Sequence, residues 1–344
     1  MAEVIAQTLF ITSHGAFVGV EGETIVVEVD GSKVLQLPAH LIESIACLGR
    51  STLSHSALAL CGERGIPVSF LSQSGRFLAR LDAPTSGNVL LRREQFRRAD
   101  DPGQCNAIAK RFVAGKLANG RHFLARQARE SESSQAQAAF REAIQEMDRM
   151  RALVGESATL DALRGYEGNA GKAYFGALGH AVRSQTEGFA FSKRTRRPPL
   201  DRFNCLISFL YTLMLHDCSA GLYAAGFDPS VGFLHADRPG RPSLALDLLE
   251  EFRTLVCDRL AVAMVNQKQV TPDDFDIRTG GSVWLKDKPR KDVVKAYQRR
   301  KDEEAVHPFL QTRCRVGQLP FLQARLLARY LRGDIEQYPP CIMR

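Results

Sequence analysis

The stretch FLARLDAPTSGNVLLRREQFRR, residues 77–98, is where one kind of chain becomes another. FLARL at its start is short, apolar and strand-like, whereas LLRREQF sets Arg93 and Arg97 four residues apart, the spacing of one helix face. Between them Asp82–Asn88 carries Pro84, Ser86 and Gly87, which favour neither element. The change of period predicts an α+β protein: a small N-terminal β-rich domain over residues 1–83, a linker over 84–89, and a larger all-helical domain over 90–344.

Upstream, residues 8–37 read TLFITSHGAFVGVEGETIVVEVDGSKVLQL. β-Branched and aromatic residues in short runs are broken at Gly15, Glu21-Gly22 and Asp30-Gly31, which predicts strands joined by tight turns. Ser54 is placed to cap a short helix that Gly65 ends, and IPVSFL (66–71) and FLARL (77–81) flank the turn SQSGR. Downstream, Ile108, Phe112 and Leu117 supply the apolar side of a helix, and no internal repeat is present.

With 344 residues, 44% hydrophobic and 24% charged, the chain has a globular composition and room for two cores. Its longest near-continuous apolar run, CLISFLYTLML at 205–215, ends at His216 and Asp217, short of the roughly 20 residues that cross a bilayer, so no association with a membrane is expected. MAEVIAQTLF lacks the pattern of a secretory signal, and the eight cysteines form no C-x-x-C pair; reduced, buried thiols in the cytoplasm are expected. The net charge of +8 is uneven. Residues 1–90 hold 5 Lys/Arg against 8 Asp/Glu, so of the 46 and 38 in the whole chain the remainder holds 41 against 30. That surplus favours a polyanionic partner for the second part.

Two stretches carry the candidate chemistry. GYEGNAGKAYF (165–175) imitates a phosphate loop and fails, because Tyr166 stands where a glycine belongs and Ala173 where a Ser/Thr would hold magnesium. Its small residues predict close helix packing, with Glu167 either at the positive end of a helix dipole or functional. In GFLHADRPGRPSLALDLLEEFR (232–253), Ser243 is placed as an N-cap, and Leu244, Leu248, Phe252 and Leu255 make an apolar face. Asp247, Glu250 and Glu251 fall at i, i+3 and i+4 and share a second face. Such acids are either a solvated stripe or the ligands of a cation. His235 in the turn just upstream adds a nitrogen donor, and imidazole with two or three carboxylates suits Mg²⁺ or Mn²⁺.

On these two motifs the chain resembles the CRISPR-associated integrase family Cas-one. The resemblance extends over essentially the whole length, including PVSFLSQSGRFLARL and RRPPLDRFNCLISFLYTLM, and the wording is most similar to the subtype I-C branch. It implies that Glu167, His235 and Glu250 are the catalytic metal ligands, with Asp247 beside them and Glu251 further out or solvated. It implies a DNA endonuclease and integrase dependent on Mg²⁺ or Mn²⁺, in which the 3′-hydroxyl of a short foreign fragment attacks a phosphodiester of the CRISPR repeat. Homodimers that clamp a small partner, Cas-two, are implied as well. Lys193, Arg194, Arg196 and Arg197, with Arg238 and Arg241, are the candidate DNA contacts, and Arg92, Arg93, Arg97 and Arg98 form a second patch. Trp284, Tyr166 and Tyr211 are expected in the core rather than stacked on bases. The competing readings are a nuclease for branched repair intermediates and a non-catalytic DNA-binding scaffold.

Overall fold

Left-handed backbone at Gly15 (φ 72°), Gly22 (58°), Asp30 (52°) and Gly31 (73°) turns the chain where the sequence breaks its strand pattern. The result is β1 (Gln7–Ile11), β2 (Ala16–Glu21), β3 (Thr24–Val29) and β4 (Ser32–Pro38). They are followed by β5 (Ile42–Leu48), β6 (Ser51–Leu53), α1 (His55–Glu63), β7 (Val68–Leu71) and β8 (Phe77–Leu81). Ser54 caps α1 as expected, its hydroxyl accepting from Ala57 N at 3.1 Å. The strands form two four-stranded sheets, in orders β1-β5-β7-β8 and β4-β3-β2-β6. The computed structural model describes residues 7–72, 77–81, 89–182 and 188–343. The expected linker over 84–89 therefore lies outside the described residues, apart from Val89.

From Val89 onward the protein is largely helical: α2 (Val89–Asp100), α3 (Pro102–Glu130), α4 (Ser134–Glu156), α5 (Leu160–Leu178), α6 (Arg202–Ala225) and α7 (Ser243–Phe252). A π-helical segment, Arg253–Asp258, joins α7 to α8 (Arg259–Asn266). Two short antiparallel pairs interrupt the helices, β9 (Phe275–Ile277) with β10 (Val283–Leu285), and, after α9 (Asp287–Asp302), β11 (Glu304–Val306) with β12 (Arg313–Arg315); α10 (Leu319–Arg332) follows. Three residues per strand is too short a run for alternation to register in a sequence. Helix α6 is long and apolar enough to cross a membrane, but 83% of its apolar window is buried inside the protein.

Strand β5 joins the two parts because it lies inside its sheet and is apolar on both faces. Ile45 and Cys47 enter the core between the sheets, whereas Ala46 and Leu48 enter the core built by the helices. Alternation of side chains along the strand makes this division unavoidable. A buried polar seam crosses the same contact. Asp217 of α6 accepts from Thr8 Oγ1 (2.8 Å) and Tyr297 OH (2.6 Å) and pairs with Lys301 Nζ (2.8 Å). Beside it, His216 has Nδ1 3.0 Å from Ser69 Oγ and Nε2 3.2 Å from Ser44 Oγ.

Burial pushes His216 down to about 4; Asp217 opposes the shift, and Arg80 and Lys301 add to it. Its folded pKa thus lies below the unfolded value of about 6.5, so between the two the unfolded chain binds more protons. The stabilisation is complete above about pH 6.5 and is lost as the pH falls toward 4. Thermal unfolding of His216→Gln should therefore show a weaker dependence on pH across this window than wild type. Parallel profiles would show that acid sensitivity arises elsewhere.

Candidate functional site

The turn that carries His235 is built around one carboxylate. Asp247 Oδ2 accepts from Phe233 N (2.6 Å) and Leu234 N (3.0 Å), and Oδ1 accepts from His235 N (2.9 Å) and lies 2.7 Å from His235 Nδ1. A carboxylate only accepts, so Nδ1 carries the proton and the lone pair of Nε2 is left free. Gly232 permits the fold of the turn: a Cβ there would stand 2.8 Å from Ser243 Cβ and 2.9 Å from His235 O. Ser243 is not the N-cap that its position suggests. It is the first residue of α7, and its hydroxyl donates to Ala236 O at 3.0 Å, while Pro229 O accepts from Leu244 N. A backbone carbonyl and a tie across the turn do the work expected of the cap.

The acids of α7 are not a solvated stripe: Asp247 and Glu251 are 0% exposed and Glu250 4%. Glu250 Oε1 lies 3.0 Å from an Arg253 nitrogen and 3.9 Å from His235 Nε2, and Oε2 lies 2.7 Å from Lys116 Nζ. Burial alone would raise the pKa of Glu250, but Arg253 foremost and then Lys116 outweigh it and hold the group at about 2. Lys116, from α3, also pairs with Glu167 Oε1. Burial pulls the Lys116 ammonium down; Glu167 and Glu250 more than compensate, so its pKa is raised. Nothing in the spacing around Lys116 singles it out, and the sequence reading missed it along with Arg253.

Glu167 sits about two turns into α5, too far from the N-terminus for the dipole to account for it. The close packing expected of its small neighbours holds for part of them, since Ala170 and Ala177 are buried in the core and Ala173 packs against it. A Cβ on Gly165, Gly168 or Gly176 would meet nothing within 4 Å, because these glycines face open space. Glu251 is neither further out in the same site nor solvated. It points away from Glu250, accepting from Tyr338 OH (2.6 Å), Cys341 N (2.6 Å) and Gln323 Nε2 (2.9 Å), and so anchors the C-terminal tail. Burial drives Glu251 up to about 7 against these three donors. Gly115 makes room for this contact, since a Cβ there would lie 3.1 Å from Glu251 Cγ and 3.0 Å from Pro340 Cβ.

The donor set fits a divalent cation: two carboxylates, both now paired with an ammonium, and an imidazole with a free Nε2. Among the described residues, however, no three of His, Cys, Asp and Glu are drawn together as a metal would draw them. The ammonium of Lys116 holds Glu167 and Glu250 in common instead. A cleft of about 820 Å³ between β1 and α9 contains none of these groups, so chemistry and not cavity size locates the site.

The basic residues divide. Lys193, Arg196, Arg197 and Arg238 are exposed and Arg241 is partly so. Partial burial, Arg238, Arg197 and Arg164 all lower the pKa of Arg241, which shows that charges far apart in sequence share one rim. Arg194 leaves this group. It turns inward to Asn204 Oδ1 (2.7 Å) and Ser208 Oγ (2.8 Å), and burial lowers it to about 10. Arg164, which the sequence reading missed, donates to Leu234 O at 2.9 Å beside the His235 turn. In the second patch Arg98 is tied to Glu94 at 2.9 Å. Tyr211 is buried, donating to Asp258 at 2.7 Å, Trp284 lies under Arg278, and Tyr166 packs partly buried on the core.

Residues 9–299 match the family profile described as CRISPR associated protein Cas1, and the chain belongs to that family, the Cas-one of the sequence motifs. It is 44% identical over 338 residues to a CRISPR-associated endonuclease Cas1 of Chlorobaculum tepidum, covering 98% of both chains. Among solved structures, a Cas1 protein from Thermotoga maritima has the same fold, with a TM-score of 0.80 and 24% identity over 95% of this chain and 97% of that one. So does a chain of a Cas6-RT-Cas1–Cas2 complex, with a TM-score of 0.84 and 22% identity over 99% of this chain but 36% of that one.

Asp247 offers a direct test of how the site is held. Asp247→Ala would leave three buried or half-buried N–H groups and the imidazole without an acceptor, at an expected cost of about 3 kcal/mol in chemical denaturation. Unchanged stability would mean that the turn keeps its form without the carboxylate.

Proposed function

We propose that the protein is a metal-dependent DNA endonuclease and integrase that inserts short foreign fragments into a CRISPR array. The observation that carries this reading is that Glu167 of α5 and Glu250 of α7 share one lysine while His235 Nε2 lies 3.9 Å from Glu250, in a chain 44% identical to a relative named as an endonuclease. Mg²⁺ or Mn²⁺ bound there would polarise a phosphoryl oxygen and lower the pKa of an attacking hydroxyl. The protein's own groups prepare the place. Asp247 sets the tautomer of His235, Arg253 and Lys116 keep Glu250 ionised, and exposed arginines bind the flanking phosphates. In joining, a 3′-hydroxyl oxygen forms a new bond to phosphorus as the repeat's own P–O bond breaks, leaving a new 3′-hydroxyl. One phosphodiester replaces another, which needs no nucleotide and accords with the failed phosphate-loop motif. Water in place of the hydroxyl gives nuclease activity.

The division into residues 1–83 and 90–344 is proposed to separate tasks. The acidic first part would serve the homodimer and a Cas-two partner, and the basic second part DNA. A chain of a Cas1–Cas2 complex shares the fold, and family membership supports the partnership. Eight cysteines, all buried and free, support action in the cytoplasm. Assignment to the subtype I-C branch rests on motif wording.

Purified protein incubated with fragment DNA, a repeat-bearing plasmid and Mn²⁺ or Mg²⁺, with and without Cas-two, is expected to join the two. Glu250→Ala should lower joining by at least about 100-fold. Cleavage of branched DNA without joining under any of these conditions would favour the repair nuclease, and activity retained by the variant would leave a scaffold or a misplaced site. Neutralising Lys193, Arg196, Arg197 and Arg238 should weaken binding on all sequences alike and lower the salt slope by about one per lost phosphate contact. Arg194→Ala should instead lower the melting temperature, and equal effects of all the arginines on binding would contradict this division.

A further inference from the structure

The Lys116 ammonium stands where a cation is required. It reaches from α3 to pair with Glu167 of α5 and Glu250 of α7 at once, with its side chain 14% exposed. Its charge and that of Arg253 balance the two carboxylates. A divalent ion entering this set would bring two positive charges beside an ammonium already bonded to the same oxygens, and at a few ångströms in a poorly solvated site that repulsion is strong. One cation has to give way. Arg253 is the fixed one: it lies 3.0 Å from Glu250, its guanidinium is 4.6 Å from the Tyr211 ring centroid, and it is 8% exposed. Lys116 has a flexible stem, and a cavity of about 20 Å³ lined by Lys116, Gly171, Tyr174 and Asp258 lies against it.

We propose that Lys116 is a resident counter-cation that must leave the gap between Glu167 and Glu250 before a divalent ion can be held there, so that it sets the metal affinity of the site. This rests on the reading of Glu167, His235 and Glu250 as ligands. The lysine pairs with both carboxylates, so that metal entry is an exchange of cations.

The test is Mn²⁺ binding by the full chain at one fixed pH, with free Mn²⁺ measured by electron paramagnetic resonance. The proteins are wild type, Lys116→Met, Lys116→Gln, Lys116→Arg and Glu250→Gln. Lys116→Met and Lys116→Gln are expected to bind roughly tenfold more tightly than wild type, and Lys116→Arg no more tightly. Added Mn²⁺ should also raise the melting temperature of the neutral variants by more than that of wild type, because binding stabilises the folded state. If the neutral variants bind no more tightly, or neither folds even with Mn²⁺ present, the lysine is a structural brace and the proposal is overturned. Glu250→Gln separates the two levels. If it binds Mn²⁺ as wild type does, the ligand reading itself fails and takes the proposal with it; if binding is lost, the ligand reading stands and the lysine variants alone decide.

Discussion

Three carboxylates within five residues of one buried helix are the constraint around which this molecule is organised. An ionised carboxylate without partners inside a protein is too costly to keep, so each acid of α7 has to be matched by something brought to it. The three solutions differ. Asp247 draws in backbone N–H groups and an imidazole, Glu250 draws in two cations, and Glu251 takes neutral donors. Each solution recruits a different part of the chain. The first closes the turn 232–242 over the helix, the second brings α3 and the π-helical segment to the same carboxylate, and the third folds the C-terminal tail against the core.

These matches also set the spacing between helices. Gly115 lets α3 approach α7 closely enough for Glu251 to lie on it, and the next residue is Lys116, which lies between Glu250 and Glu167. Asn119, one turn further along α3, donates to Glu251 O (3.0 Å) and Cys341 O (2.7 Å). A single helix therefore braces the structural acid and the candidate site together. The π-helical segment follows Glu250 by three residues and places Arg253 back against it. Such insertions recur at functional sites because they re-aim side chains that a regular helix would carry past.

What the sequence made legible follows from how far each determinant reaches. Turns at Gly15, Gly22 and Asp30-Gly31 are properties of one or two residues and were readable, as was the capping Ser54. Asp247, Glu250 and His235 lie within sixteen residues of one another, so a local pattern raised them, whereas Glu167 needed the family resemblance to join the set. Lys116, Arg164 and Arg253 gain meaning only from what lies across space, and no spacing rule reports that. Composition misled where it was ambiguous in principle. Small residues suit both a tight contact and an open face, and Gly165, Gly168 and Gly176 belong to the second. The basic run at 193–197 looked uniform, but Arg194 had hydroxyl and amide acceptors within reach on α6 and turned to them.

The two halves of the candidate site are held with different firmness, and this bears on how it works. The α7 half is closed: Asp247 is fully buried, His235 is fixed by it through both ring and backbone, and Glu250 is 4% exposed and gripped by a rigid guanidinium. Glu167 is on the open half, its side chain 25% exposed. A long, stiff polyanion cannot enter a closed pocket, so a site acting on DNA has to be presented at a surface. Yet a carboxylate surrounded by water is a poor means of fixing geometry, because its orientation is not determined. The arrangement here meets both demands. The buried half supplies orientation, the partly exposed Glu167 supplies access, and the Lys116 ammonium pairs with a carboxylate of each half.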